Sequence, residues 1–260
     1  MRLRWLALYP VAYAAAFMAV AGALEGGDAD RFVIGQRIAL RILAAAGCFA
    51  AASVFDAGDR LRRAWLWMGA GTLVILARDV LRLFVKEEDF EGIVTGLGVL
   101  SNLALLAGIW MLARSWRLVT LERPGGRAGM AVIALLTAAL ALGIAGPGAL
   151  QAMRSVAGGH WGDLVLVVSA LVDVVTLCLI TPLLLTAVAL RGGLFSWPWA
   201  LIAASRLSWV LYDAAAALAS DSSLPLPDLF RGLAQNFLFV AGLAQLLVVR
   251  QVRRRVRGAG

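Results

Sequence analysis

Charged and amide side chains stand inside long apolar runs of this 260-residue chain, and they are the residues that could do chemistry. They are Arg78, Asp79 and Arg82; Asn102; Asp173; Arg206, Trp209 and Asp213; and Arg231 with Asn236. A charge at bilayer depth costs about 2.5–3.5 kcal/mol on insertion scales, so each needs a partner, a cavity or water. Asp79 and Asp213 would act as anchor acids, with Arg78, Arg82 and Arg206 as counter-charges and Asn102 and Asn236 as polar bridges. The chemistry they suit is non-covalent ligand binding. Two buried carboxylates could alternatively serve acid–base hydrolysis, with Asp79 and Asp213 as the catalytic pair.

Spacing groups these residues on helix faces. Asp79 and Arg82 are three apart and can pair along one helix. Arg206 and Asp213 are seven apart, on one stripe two turns from each other. Ser205, Trp209 and Asp213 form an i, i+4, i+8 stripe, Ser169, Asp173 and Thr176 a similar one, and Arg231 and Gln235 stand four apart. Trp65, Asp79 and Asn102 are each followed, after a constant 134 residues, by Trp199, Asp213 and Asn236. The gapless match holds 8 identities over 44 positions and includes the glycine pairs Gly98/Gly232 and Gly108/Gly242, which read as close-packing points between helices.

Other chemistry is excluded by what the chain holds. His160 is the single histidine, so neither bis-histidine haem nor a multi-histidine metal site is available, and it reads as a loop residue. Cys48 and Cys178 lie singly in apolar runs and read as small core residues. There is no P-loop, G-x-S-x-G, H-E-x-x-H or C-x-x-C. The one lysine, Lys86, lies at the end of a run, where a retinal lysine would not. No metal and no cofactor is expected.

The elements that must position these residues are transmembrane helices. The chain is 62% hydrophobic with mean hydropathy +0.85, against about 45–50% apolar for a soluble domain. Apolar runs fall at about 5–24, 38–55, 64–85, 93–113, 129–150, 163–190, 199–219 and 229–249. This predicts an all-α polytopic membrane protein with eight transmembrane helices, in a single membrane domain over 1–260. Arg2 and Arg4 before the first run, and Ala21-Gly22-Ala23 after it, also fit a cleavable signal peptide; a retained helix is favoured, because the run is long for one.

The net charge of +8 lies in short clusters between runs, which is the positive-inside pattern and not a nucleic-acid surface. One set of alternate loops carries 15 basic residues, including the 250–257 cluster that suits anionic headgroups; the other carries 4, with the acidic loops 25–30 and 87–91. Both termini are therefore expected in the cytoplasm, in a bacterial inner membrane. The repeat offset of four helices preserves orientation and predicts parallel 4+4 pseudo-repeats at about 1–123 and 124–260. The buried polar groups then concentrate toward the outer side, with Arg206 near mid-depth, which predicts a polar cavity open to the periplasm between helices 3, 4, 7 and 8. Most tryptophans fall near span ends, as an aromatic belt would.

Two resemblances bear on function. Trp209, Asp213, Pro225, Pro227 and Asp228 trace a helix ending in W-x-x-x-D, a Pro-containing loop and an Asp that opens the next helix. This resembles the polytopic sensor regions that precede bacterial diguanylate cyclase or histidine kinase domains. In the first half the pattern fits at Asp79, with Ile75 where the Trp would be. The resemblance implies a sensor or ligand-binding module; lacking the output domain of such sensors, it is expected to be a stand-alone receptor or partner subunit. Expected partners are membrane lipids and a cytoplasmic or membrane signalling protein. The eight spans, with Asp79 in helix 3 and Asp213 in helix 7, also resemble the lysoplasmalogenase family. That likeness implies the lipid-hydrolase alternative. The family's Gly-Asp and Ser-Asp pairs stand here as Arg78-Asp79 and Tyr212-Asp213, and a cation beside Asp79 suits ligand binding better than proton donation. A small-solute transporter is the third reading.

Overall fold

The computed structural model describes residues 3–84, 87–117, 126–189, 196–218 and 225–257. These residues form eight α-helices: α1 (Leu3–Ala21), α2 (Gly27–Ala52), α3 (Arg60–Phe84), α4 (Glu87–Arg117), α5 (Gly126–Ala157), α6 (Leu164–Ala189), α7 (Ser196–Leu218) and α8 (Leu226–Arg257). A 3-10 turn, Trp161–Asp163, joins α5 to α6. There is no strand among the described residues. Six helices contain stretches long and apolar enough to cross a membrane, namely those of α2, α3, α4, α5, α6 and α8, the last as Leu226–Arg255. The molecule is a multi-pass helical membrane protein. α1 holds a shorter apolar stretch, Leu8–Ala21, and α7 carries Arg206 and Asp213 within its length.

Several helices are longer than the apolar runs. α2 starts at Gly27, so Asp28 and Asp30 of the expected acidic loop lie in its first turn, where carboxylates complement the positive end of the helix dipole. α4 includes a break at Phe90, with φ −133° and ψ 21°. α8 runs on through the Arg250–Arg255 cluster. Asp59 opens α3 by accepting a 2.8 Å hydrogen bond from the Leu61 N–H.

Packing makes a ring. Neighbours in contact run α2–α3, α3–α4, α4–α6, α6–α7, α7–α8 and α8–α2, which closes on itself. α1 and α5 stand outside it. α1 leans on α8 and reaches α2 through a Tyr13–Gln36 hydrogen bond of 2.7 Å and a stacked Phe17–Phe32 pair. α5 leans on α6 and α7. Small residues let the ring close. A Cβ at Gly242 of α8 would run into the backbone of Gly47 on α2, and one at Gly108 of α4 into Ala64 and Met68 on α3. Gly98 faces Val165, and Gly232 faces Tyr13.

One end of the ring is filled. Ala44, Cys48, Trp65, Met68, Ile109, Leu112, Ile180, Trp199, Ile202, Ala244 and Val248 pack there into a single apolar plug. Trp65 and Trp199, expected at the lipid boundary, are 1% and 4% exposed and fill this plug instead. Trp67, Trp110 and Trp161 are exposed, as the belt pattern requires. Cys48 is buried in the plug, and both cysteines are free thiols.

Candidate functional site

Above the plug the ring encloses a cavity of about 560 Å³. Its walls come from all six ring helices and the 3-10 turn, and no lining residue comes from α1 or α5. The helices alternate in direction, so the bowl is built from the first halves of α2, α4, α6 and α8 and the second halves of α3 and α7. That alternation explains why polar residues 134 positions apart arrive at one depth.

The charged groups form layers. Deepest is Arg206 of α7, whose Nη1 donates to Asp173 Oδ1 of α6 at 3.4 Å; both side chains are 3% exposed. Across the bowl, Arg41 Nε of α2 lies 2.8 Å from Asp79 Oδ2 of α3, also buried. Nearer the mouth, Asp228 takes Arg37 Nη2 at 3.4 Å and Arg231 Nη1 at 3.2 Å. Arg231 Nη2 also donates to the Tyr212 hydroxyl at 2.6 Å, with the guanidinium 4.6 Å from that ring's centroid. Trp209 meets Tyr212 edge to face at 5.6 Å. At the rim, Glu91 Oε1 accepts the Gly162 N–H at 2.8 Å and ties α4 to the 3-10 turn. Buried charges of this kind persist because each ion pair is closed by neighbours that keep lipid away.

Nine of the ten residues singled out in the sequence line this one cavity: Arg78, Asp79, Arg82, Asn102, Asp173, Arg206, Trp209, Asp213 and Arg231. Asn236 does not. It is fully buried, and its Nδ2 donates to Gly232 O of its own helix at 3.0 Å. Asn102 makes the matching bond to Gly98 O at 3.1 Å but keeps contact with the cavity. Arg206 and Asp213 share the cavity-facing stripe of α7, and the ion pairs seen for Asp79 and Arg206 run between helices. Asp79 goes to Arg41 and Arg206 to Asp173.

The ten candidates did not include Arg37, Arg41, Glu91, His160, Asp163, Tyr212 and Gln235, all of which line the cavity. Arg37 and Arg41 are four apart and continue, through Ala44, Ala45 and Cys48, into the buried stripe of α2; that register was the available signal. His160 is exposed at the rim. No group of three or more metal-ligand side chains occurs among the described residues.

A ring of apolar helices around a charged bowl defines a membrane protein with an internal polar cavity. No family model, curated protein or solved structure matches the chain.

Proposed function

We propose that the protein is a bacterial inner-membrane sensor or ligand-binding module that holds a small polar solute in the bowl and passes its occupancy to another protein. One observation carries this reading: a charged cavity about the size of small-molecule sites, closed at one end by an apolar plug. The reading includes eight spans, with α1 and α7 crossing beside the six long apolar helices, and both termini in the cytoplasm. The plug end carries the exposed Arg60, Arg63, Arg114, Arg253, Arg254 and Arg255, which by the positive-inside rule supports a bowl whose mouth faces the periplasm. The matched contacts α3–α4 with α7–α8, α2–α8 with α6–α4 and α2–α3 with α6–α7 support a 4+4 duplication. α1 and α5 depart from it.

Two features weigh against the other readings. A transporter needs a polar path through the floor, and the described floor is Trp, Met, Ile, Leu, Val and Ala. A two-aspartate hydrolase needs both carboxyls available, and Asp79 is occupied by Arg41.

The test is thermal unfolding of the purified chain in detergent against a panel of small polar solutes. A bound ligand raises the midpoint as RT ln(1 + [L]/Kd). Some solute is expected to raise the midpoint of the wild type but not of Ser169→Trp, which fills the bowl from α6. If every stabilising solute acts equally on both proteins, the bowl is not the site.

A further inference from the structure

The walls of the bowl differ in sign. On the α2 side, Arg37, Arg78 and Arg231 bear on Arg41 as like charges, and Asp79 is the one acid that bears on it among the described residues. Arg37 gives Nη2 to Asp228 and Arg41 gives Nε to Asp79, yet Arg37 Nε and Arg41 Nη1 remain buried donors without an acceptor among the described residues. On the α6–α7 side, Asp213 bears on Asp173 as a like charge, with Arg206 as the cation paired to Asp173. Asp213 Oδ2 is buried without a donor among the described residues. Arg231, on the adjoining helix, is already taken by Asp228 and Tyr212. Gln235, 7% exposed, also leaves Oε1 without a donor. Its amide can turn to offer N–H instead, so Asp213 fixes the sign of this wall.

In the ring order α2, α3, α4, α6, α7, α8, the helix facing α2 is α6 and the helix facing α3 is α7. The positive and negative walls therefore oppose each other across the bowl. A simple anion would satisfy one wall and leave a buried carboxylate without a partner; a simple amine would do the reverse.

We infer that the occupant is a small zwitterion, with its protonated amine held by Asp213 beside Trp209 and its oxyanion held by Arg37 and Arg41. This rests on the ligand-binding reading of the cavity and gives that ligand its chemistry. Two sources carry both groups: free amino acids, and the phosphoethanolamine headgroup of a membrane lipid.

Calorimetric titration of the full chain in detergent tests the inference. The probes are a panel of free amino acids, O-phosphoethanolamine, ethylamine and acetate. At least one zwitterion is expected to bind about 10- to 100-fold more tightly than ethylamine or acetate. Asp213→Asn should remove that advantage and Asp213→Glu should restore part of it, which separates loss of charge from loss of fold. In nanodiscs, weaker amino-acid binding with phosphatidylethanolamine than with phosphatidylglycerol assigns the site to the headgroup; equal binding assigns it to the free solute. Acetate binding as tightly as every zwitterion, or zwitterion binding untouched by Asp213→Asn, overturns the inference and leaves the cavity reading standing. Binding by no probe overturns both.

Discussion

Arg206 and Asp173 illustrate how charge is tolerated at this depth. Each is 3% exposed and each is the other's partner, so removing one strands the other in an apolar surround. Asp173→Ala is expected to cost about 3–5 kcal/mol, read as a lowered unfolding midpoint in detergent. The double variant Asp173→Leu with Arg206→Leu should recover most of that loss, because no uncompensated charge remains. Asn236 is a contrasting case. Its side chain closes a bond within α8, so it supports the helix and not the bowl. From the sequence, Asn102 and Asn236 looked equivalent. Only the rotation of each helix within the ring separates them.

Among the elements, helices were legible because apolar runs of bilayer length have few alternatives. Their ends were not. Asp28, Asp30, Arg31 and Arg37 read as loop by hydropathy, yet they form the first turns of α2. The site was legible in kind, since scarce polar groups in lipid must turn inward. The pairings were not legible, because spacing reports neighbours along one helix, and Arg41–Asp79 depends on which helices adjoin. The crossing of α2 and α8 is where this adjacency is decided. Gly242→Ala pushes a methyl into the Gly47 backbone and is expected to cost about 1–3 kcal/mol or more. Gly143→Ala on α5 meets nothing within 4 Å and should leave the unfolding midpoint unchanged or raised.

At the scale of the whole molecule, the ring separates apolar packing at one end from a charged bowl at the other. With the native cysteines replaced by alanine, Trp161→Cys and Arg254→Cys mark the two ends, and both positions are exposed. A membrane-impermeant maleimide applied to intact cells, after permeabilisation of the outer membrane, is expected to label the first and spare the second. Labelling of both from outside would invalidate the cytoplasmic C-terminus.

α8 joins those two ends without interruption. Its 32 residues make a rod of about 48 Å. Arg231 and Gln235 stand near one tip, at the bowl, and the exposed Arg253, Arg254 and Arg255 at the other. Between them Gly242 lies directly against the Gly47 backbone of α2. Because one unbroken helix joins the bowl to the arginine tip, a displacement of Gln235 on ligand binding would be carried along the rod itself. On the ligand-binding reading, a Gly-Gly insertion after Val249 should leave affinity for the bowl's ligand intact and disconnect the arginine tip from it, read by titration of the variant beside the wild type.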